Sequence, residues 1–175
     1  KQSKEECKAY FGVAPERYVI SVGYSASSAQ QQLPVVEALS LLPKERLAKI
    51  TLVLQQTYAQ NDPEYVRRVR ECAGRLNCQC VVLTKFMDGE DSARLRLSAD
   101  LFILAITTDA FSGSLQEYLY AGALVMKGDW LGYPQLTDMG VRVTDFHDYA
   151  ELPSLITKAM DGKIHGLTEE QRALF

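Results

Sequence analysis

Two carboxylates bracket a small polar turn in this chain, and their spacing is the first feature that could do chemistry. The segment from Thr107 to Gly122 carries Asp109, then Ser112-Gly113-Ser114, then Glu117, with seven residues between the two acids. It follows the apolar run Leu101–Ile106, which reads as a buried strand, and it leads into a helical pattern through Tyr118. A helix starting at Ser112-Gly113-Ser114 turns free backbone N–H groups and the positive end of its dipole toward the preceding loop, a setting that favours phosphate. Gly113 lets that backbone come close to a ligand. Asp109 lies before this anion nest and Glu117 about one turn inside the helix, and carboxylates accept hydrogen bonds from paired hydroxyls on a sugar or ribose. Acid, phosphate nest, acid is the layout of a nucleotide-sugar site. The same residues also suit a plainly capped helix, with Asp109 fixing the turn and Glu117 in solvent.

These residues need a scaffold, and the chain supplies an alternation of strands and helices. Expected strands are 17–22, 50–54, 80–83, 101–106, 123–126 and 141–143, most of them continuous apolar runs of the kind buried on both faces of a parallel sheet. Expected helices are 31–42, 63–76, 91–97, 114–121 and 149–160, with Asp62-Pro63 a strong start signal. The order implies a doubly wound, Rossmann-like α/β sheet with right-handed crossovers. In such sheets ligands sit beyond the carboxyl ends of the strands. That places the loop from Gly23 to Ser28, which contains Tyr24, next to the acid-bracketed turn. Neither a dinucleotide-binding nor a P-loop glycine pattern occurs.

Composition narrows the partners. The chain has 175 residues, enough for one domain with a real core, and a net charge of −3. It shows no electrostatic footprint for nucleic acid, so no nucleic-acid partner is expected. No apolar run approaches bilayer-spanning length, and the Lys1–Gly12 segment lacks the apolar region of a signal peptide, which sets the expectation of a cytoplasmic protein. The four cysteines include the pair Cys78 and Cys80, which strand alternation places on one face. They read as free thiols, and with the two histidines, His147 and His165, far away no metal site is expected. Both histidines are expected at the surface.

The motifs from 80 to 145 resemble the C-terminal, donor-binding domain of GT-B-fold retaining glycosyltransferases of the family-4, or group-1, type. The matching residues are Ser98-Ala99-Asp100 entering the apolar strand, the Asp109-to-Glu117 spacing, and Ala121-Gly122-Ala123-Leu124-Val125. Asp129-Trp130-Leu131-Gly132-Tyr133-Pro134-Gln135 and Met139-Gly140-Val141 continue the pattern. The resemblance implies the C-terminal half of such an enzyme: one donor-binding domain over 1–175, with 1–15 and 163–175 as terminal or linker helices toward a missing N-terminal acceptor domain. It implies a retaining hexosyltransferase that moves sugar from a nucleoside diphosphate to a saccharide or lipid-linked acceptor in polysaccharide biosynthesis. No cofactor or metal would be needed, and this part alone would bind donor without turnover. Peripheral association of the full-length enzyme with the inner face of the membrane is compatible with such acceptors. By the same resemblance Asp109 is catalytic and holds the donor sugar, amides near Phe111, Ser112, Gly113 and Ser114 hold the phosphates, and Glu117 binds the ribose. Gly23 and Tyr24 belong to the donor site, and Thr84, Lys85 and Phe86 lie beside the base.

This chain departs from that family in one important respect. The family carries an Arg and a Lys after the first strand, whereas Gly23–Gln32 has no cation. Either neutral donors and amides support the diphosphate or the donor chemistry differs, with Lys85 and Lys127 as substitute cations. A nucleotide-sugar epimerase of the same fold and a non-catalytic α/β interaction module are the alternative functions.

Overall fold

A computed structural model describes residues 2–175. Six strands form one parallel sheet in the order β3-β2-β1-β4-β5-β6: β1 (Tyr18–Val22), β2 (Ile50–Gln55), β3 (Gln79–Leu83), β4 (Leu101–Leu104), β5 (Leu124–Gly128) and β6 (Thr144–Phe146). The expected Rossmann-like α/β fold is therefore what the chain adopts. In the centre Ile20 pairs with Leu52 on one side and Leu101 on the other.

Alternation along each strand divides the core in two. One face gathers Ile20, Val22, Leu52, Leu54, Leu101 and Ile103 under α2 (Gln32–Leu39), α4 (Pro63–Gly74) and α8 (Leu152–Met160). The other joins Val19, Val53, Phe102 and Leu104 to α5 (Gly89–Ser98) and α6 (Gly113–Ala121). Burial on both faces is why these strands read as unbroken apolar runs. Cys78 and Cys80 both pack on the first of these faces, and burial pushes the Cys80 thiol up to about 11.

The helix ends follow their residues. Asp62 and Asp88 cap α4 and α5 with their carboxylates, and Gly122 closes α6 in the left-handed region at φ 89°. Short helices α3 (Lys44–Leu47) and α7 (Pro134–Asp138) lie in the connections, and α9 (Glu169–Arg172) follows α8. At the start, α1 (Lys4–Tyr10) lies against α5, with Lys8 buried between Asp100 and the carbonyls of Pro15 and Arg17.

One strand differs from expectation. The apolar pair Val141 and Val143 is not β6, which begins at Thr144. Val141 instead donates its N–H to the Leu136 carbonyl at 2.8 Å, closing the turn after α7, and buries its side chain in the second core. An apolar turn anchor and a short strand look alike in sequence.

A buried polar pair crosses the second core. The hydroxyls of Ser21 on β1 and Tyr118 on α6 lie 2.6 Å apart, both residues fully buried, and the Tyr118 ring stacks on Phe102. Tyr118→Phe leaves the serine hydroxyl without its partner and should cost about 1–3 kcal/mol in urea unfolding. The double variant Ser21→Ala/Tyr118→Phe should recover part of that loss, since neither side then keeps an unpaired group. Equal stability of wild type and Tyr118→Phe would show that the pair contributes nothing.

Candidate nucleotide-binding site

β1 and β4 are neighbours, yet the chain leaves β1 toward β2 and β4 toward β5, and a crevice opens where the connections part. Its first wall is the loop after β1. Gly23 has φ 63°, and a Cβ there would meet Gln30 Oε1 at 2.9 Å, so the position demands glycine. The same Gln30 oxygen accepts the Tyr24 N–H at 3.1 Å. Gln32, fully buried, donates to the Val22 carbonyl at 2.8 Å and accepts from Gln56 Nε2 at 3.1 Å. Neutral amides thus tie together the ends of β1 and β2 in the region that carries no cation.

The second wall is the start of α6. Ser112 is the N-cap, its hydroxyl accepting the Leu115 N–H at 3.2 Å. The N–H groups of Gly113 and Ser114 have no partner among the described residues. Gly113 has an ordinary backbone conformation, and a Cβ on it would meet open space. The turn is therefore open at this point, and glycine relieves no strain there.

Between α5 and α6 a cavity of about 1020 Å³ runs from this edge down to α9. Tyr24, Tyr58, Phe86 and Tyr120 give it aromatic walls. Arg96 reaches in from α5, with a side chain only 8% exposed. Its Nε donates to Glu117 Oε2 at 3.1 Å, its Nη1 to Gln55 Oε1 at 3.1 Å, and its Nη2 to Ser114 Oγ at 3.4 Å. The guanidinium also sits 4.7 Å from the centre of the Tyr118 ring. Glu117 itself stays mostly in solvent, its side chain 59% exposed. At the far end Arg172 donates to the Tyr120 carbonyl at 2.9 Å and covers Gly122.

Asp109 stands beside the cavity. The Tyr133 hydroxyl donates to Asp109 Oδ2 at 3.3 Å, and Phe111 packs edge-on against the Tyr133 ring. Burial and the neighbouring Asp109 carboxylate push the Tyr133 hydroxyl well up, so it remains a donor. Tyr133 takes the left-handed backbone conformation at φ 37° with its side chain buried, a strained arrangement held by the surrounding contacts. Trp130 anchors its loop, since its indole N–H donates to the Ile106 carbonyl at 2.8 Å and its ring covers Gly128.

Of the residues expected at the site, Tyr24, Phe86, Ser114 and Glu117 line the cavity. Asp109, Phe111, Ser112 and Gly113 form the turn at its edge, and Gly23 shapes the opposite loop. Thr84 and Lys85 are exposed and outside the lining. Lys127 is buried and paired with Asp145 at 2.7 Å, which removes it as a free cation. Arg96, Gln55, Tyr58 and Arg172 line the cavity without having been singled out in sequence. The available signal was an arginine set between Leu95 and Leu97 in a helix entering the Asp100 strand.

No family model matches this chain, and no curated protein does. Solved structures do. The chain superposes on the HepE protein of Anabaena in complex with UDP and glucose, with a TM-score of 0.78 at 19% identity, covering 98% of this chain and 46% of that one. A glycosyltransferase from Rickettsia africae gives a TM-score of 0.76 at 18% identity, covering 98% and 45%. The UDP-forming α,α-trehalose-phosphate synthase from Burkholderia xenovorans gives 0.72 at 14% identity, covering 94% and 38%. The chain thus has the fold of one Rossmann-like half of a GT-B glycosyltransferase, in keeping with the C-terminal half that its motifs resemble. It spans less than half the length of these structures.

The loop after β5 carries a pH-sensitive contact. His147 Nδ1 lies 2.7 Å from Asp129 Oδ2, and that hydrogen bond and charge, with Glu151 and Asp148 nearby, raise the imidazole above its ordinary value. A raised folded value means that the contact stabilises the loop while histidine is protonated, below about 6.5, and fades as pH climbs through the raised value. NMR titration should place the His147 midpoint above that of a free histidine, and Asp129→Asn should lower it. An unshifted midpoint would show the pair to be ineffective in solution.

Proposed function

We propose that this chain is the donor-binding half of a glycosyltransferase that uses a nucleoside-diphosphate sugar. The observation that carries this reading is the cavity at the topological switch point. It joins unpaired amides of Gly113 and Ser114 at a helix start to a solvent-facing carboxylate, Glu117, one turn further in. Its volume suits a small-molecule ligand. Structures of this fold with UDP-glucose, or with UDP and glucose, lend the reading support.

In this assignment Tyr24 and Phe86 face the nucleoside, Glu117 accepts the ribose hydroxyls, and the amides of Gly113 and Ser114 receive the diphosphate. Asp109, held by Tyr133, orients hydroxyls of the donor sugar. Stabilising the departing diphosphate is then the main chemical contribution of this half. Sugar transfer with retention, to a saccharide or lipid-linked acceptor in polysaccharide synthesis, belongs to the complete enzyme. Its acceptor half lies outside this chain, and 1–15 and 163–175 are the segments that lead toward it. No metal or cofactor is required, and we place the complete enzyme in the cytoplasm, at or near the inner face of the membrane.

Calorimetry with UDP and GDP tests the site. Glu117→Gln keeps an oxygen that can accept from Arg96, so the fold should persist, while nucleotide binding should weaken by about 1–3 kcal/mol. Gly113→Val fills open space at the amide nest, so it should abolish diphosphate binding with an unchanged circular dichroism spectrum. Asp109→Ala should spare the free diphosphate and weaken only the nucleotide-sugar. Absence of binding of either diphosphate to the wild-type chain would overturn the proposal, as would normal binding by Gly113→Val.

A further inference from the structure

The loop after β1 offers no positive charge, yet the amides at the start of α6 face a ligand that carries several negative ones. The geometry points to Arg96 as the cation that meets the diphosphate, an inference that rests on the donor-site reading above. Arg96 comes from α5, on the opposite wall from the loop where a cation would be sought. Its side chain reaches back along the helix toward the carboxyl edge of the sheet, as helical side chains do. There Nη2 lies 3.4 Å from Ser114 Oγ, beside an amide with no partner.

Three of its bonds are accounted for: one to Glu117, one to Gln55 and one to Ser114. A guanidinium has five N–H donors. Each guanidinium nitrogen thus makes one bond, and the second N–H of Nη1 and of Nη2 has no acceptor in hydrogen-bond geometry among the described residues, on a residue only 7% exposed that lines the cavity. A nearly buried donor without a partner is unfavourable, and a phosphate oxygen satisfies it with a charge-assisted bond. The Tyr118 ring under the guanidinium and the Gln55 amide keep the group in place, so no reordering of a flexible chain is needed.

The other cations of this region are committed or remote. Lys127 is paired with Asp145, its Nζ 5.9 Å from the centre of the Tyr133 ring, and Arg172 bonds the Tyr120 carbonyl at the bottom of the cavity. Arg70, on α4, is committed to Gln56 Oε1 at 2.8 Å. Lys85 stands exposed on its loop, outside the lining. Among the described residues Arg96 alone combines burial, N–H groups free to bond a ligand and closeness to the α6 amides.

The test compares UDP with uridine, and GDP with guanosine, on the same chain by calorimetry across a series of salt concentrations. For the pair that binds wild type, Arg96→Gln should weaken the diphosphate by about tenfold to a hundredfold and the nucleoside by only about fivefold or less, the share that comes from loosening Glu117. The dependence of diphosphate affinity on salt should become shallower in Arg96→Gln, because one charged contact has gone. Arg96→Lys, which keeps the charge, should restore part of the affinity and serves where the glutamine variant melts early. Equal losses for nucleoside and diphosphate would overturn the inference, since Arg96 would then act only by orienting Glu117. Unchanged diphosphate affinity would overturn it as well. Wild-type chain that binds neither diphosphate would instead remove the donor-site reading on which it rests.

Discussion

Everything at the functional end of this molecule follows from the parting of two neighbouring strands. β1 and β4 share hydrogen bonds, but their outgoing connections run to opposite edges of the sheet. No segment can cover the gap between them, so a crevice forms at their carboxyl ends. Because both faces of the sheet are covered by helices, polar chemistry has few places to go except these strand ends and the first turns of the helices that leave them. Gly23, Gln55, Asp109 and the Ser112-Gly113-Ser114 turn all occupy such positions.

The interior just below that crevice is unusually polar, and each polar group has a reason. Gln56 donates to the Gln32 side-chain oxygen, and the Gln32 amide donates to the Val22 and Gln55 carbonyls at the ends of β1 and β2, so this corner is held by neutral groups. Deeper in, Ser21, Tyr118 and Arg96 form a stack from the central strand to the cavity floor. Buried polar groups of this kind are costly unless matched, so the stack is specific as well as stabilising. It also links the sheet to the site, since a shift of α6 would disturb the Ser21 bond and the seat of Arg96 together.

Much of this was legible in the sequence, for a physical reason. Strands buried on both faces write themselves as apolar runs, and β1 to β5 were found where such runs occur. The start of α6 was legible too, since a serine cap before a glycine is a local signal. Legibility failed where a residue's meaning depends on distant neighbours. Val141 looked like a strand residue but anchors a turn to Leu136. Tyr133 gave no sign of its left-handed backbone or of its bond to Asp109. Arg96 was hidden among leucines, because the helical period says which residues share a face and not what that face will meet. α9, polar and four residues long, carried no hydrophobic stripe to announce that it would lie against α6.

The Arg96–Glu117 pair shows how a buried cation and an exposed acid can serve one site. Taking the guanidinium out of water is unfavourable, and attraction to a carboxylate that remains mostly solvated returns only part of that. The Tyr118 face and the Gln55 oxygen offset more of it without adding a second charge. The arrangement therefore keeps a positive charge under the cavity while leaving the outer side of Glu117 to water or to hydroxyls. A carboxylate held at one oxygen has fewer orientations to lose when a ligand arrives, so less of the binding free energy goes into ordering it. The same fixing of dipoles and charges ahead of the ligand is what lets a site stabilise a departing diphosphate, because nothing has to reorganise as the charge develops. On the donor-site reading, a mobile lysine on the loop after β1 would supply the charge but not the order, whereas Arg96 on its helix would supply both.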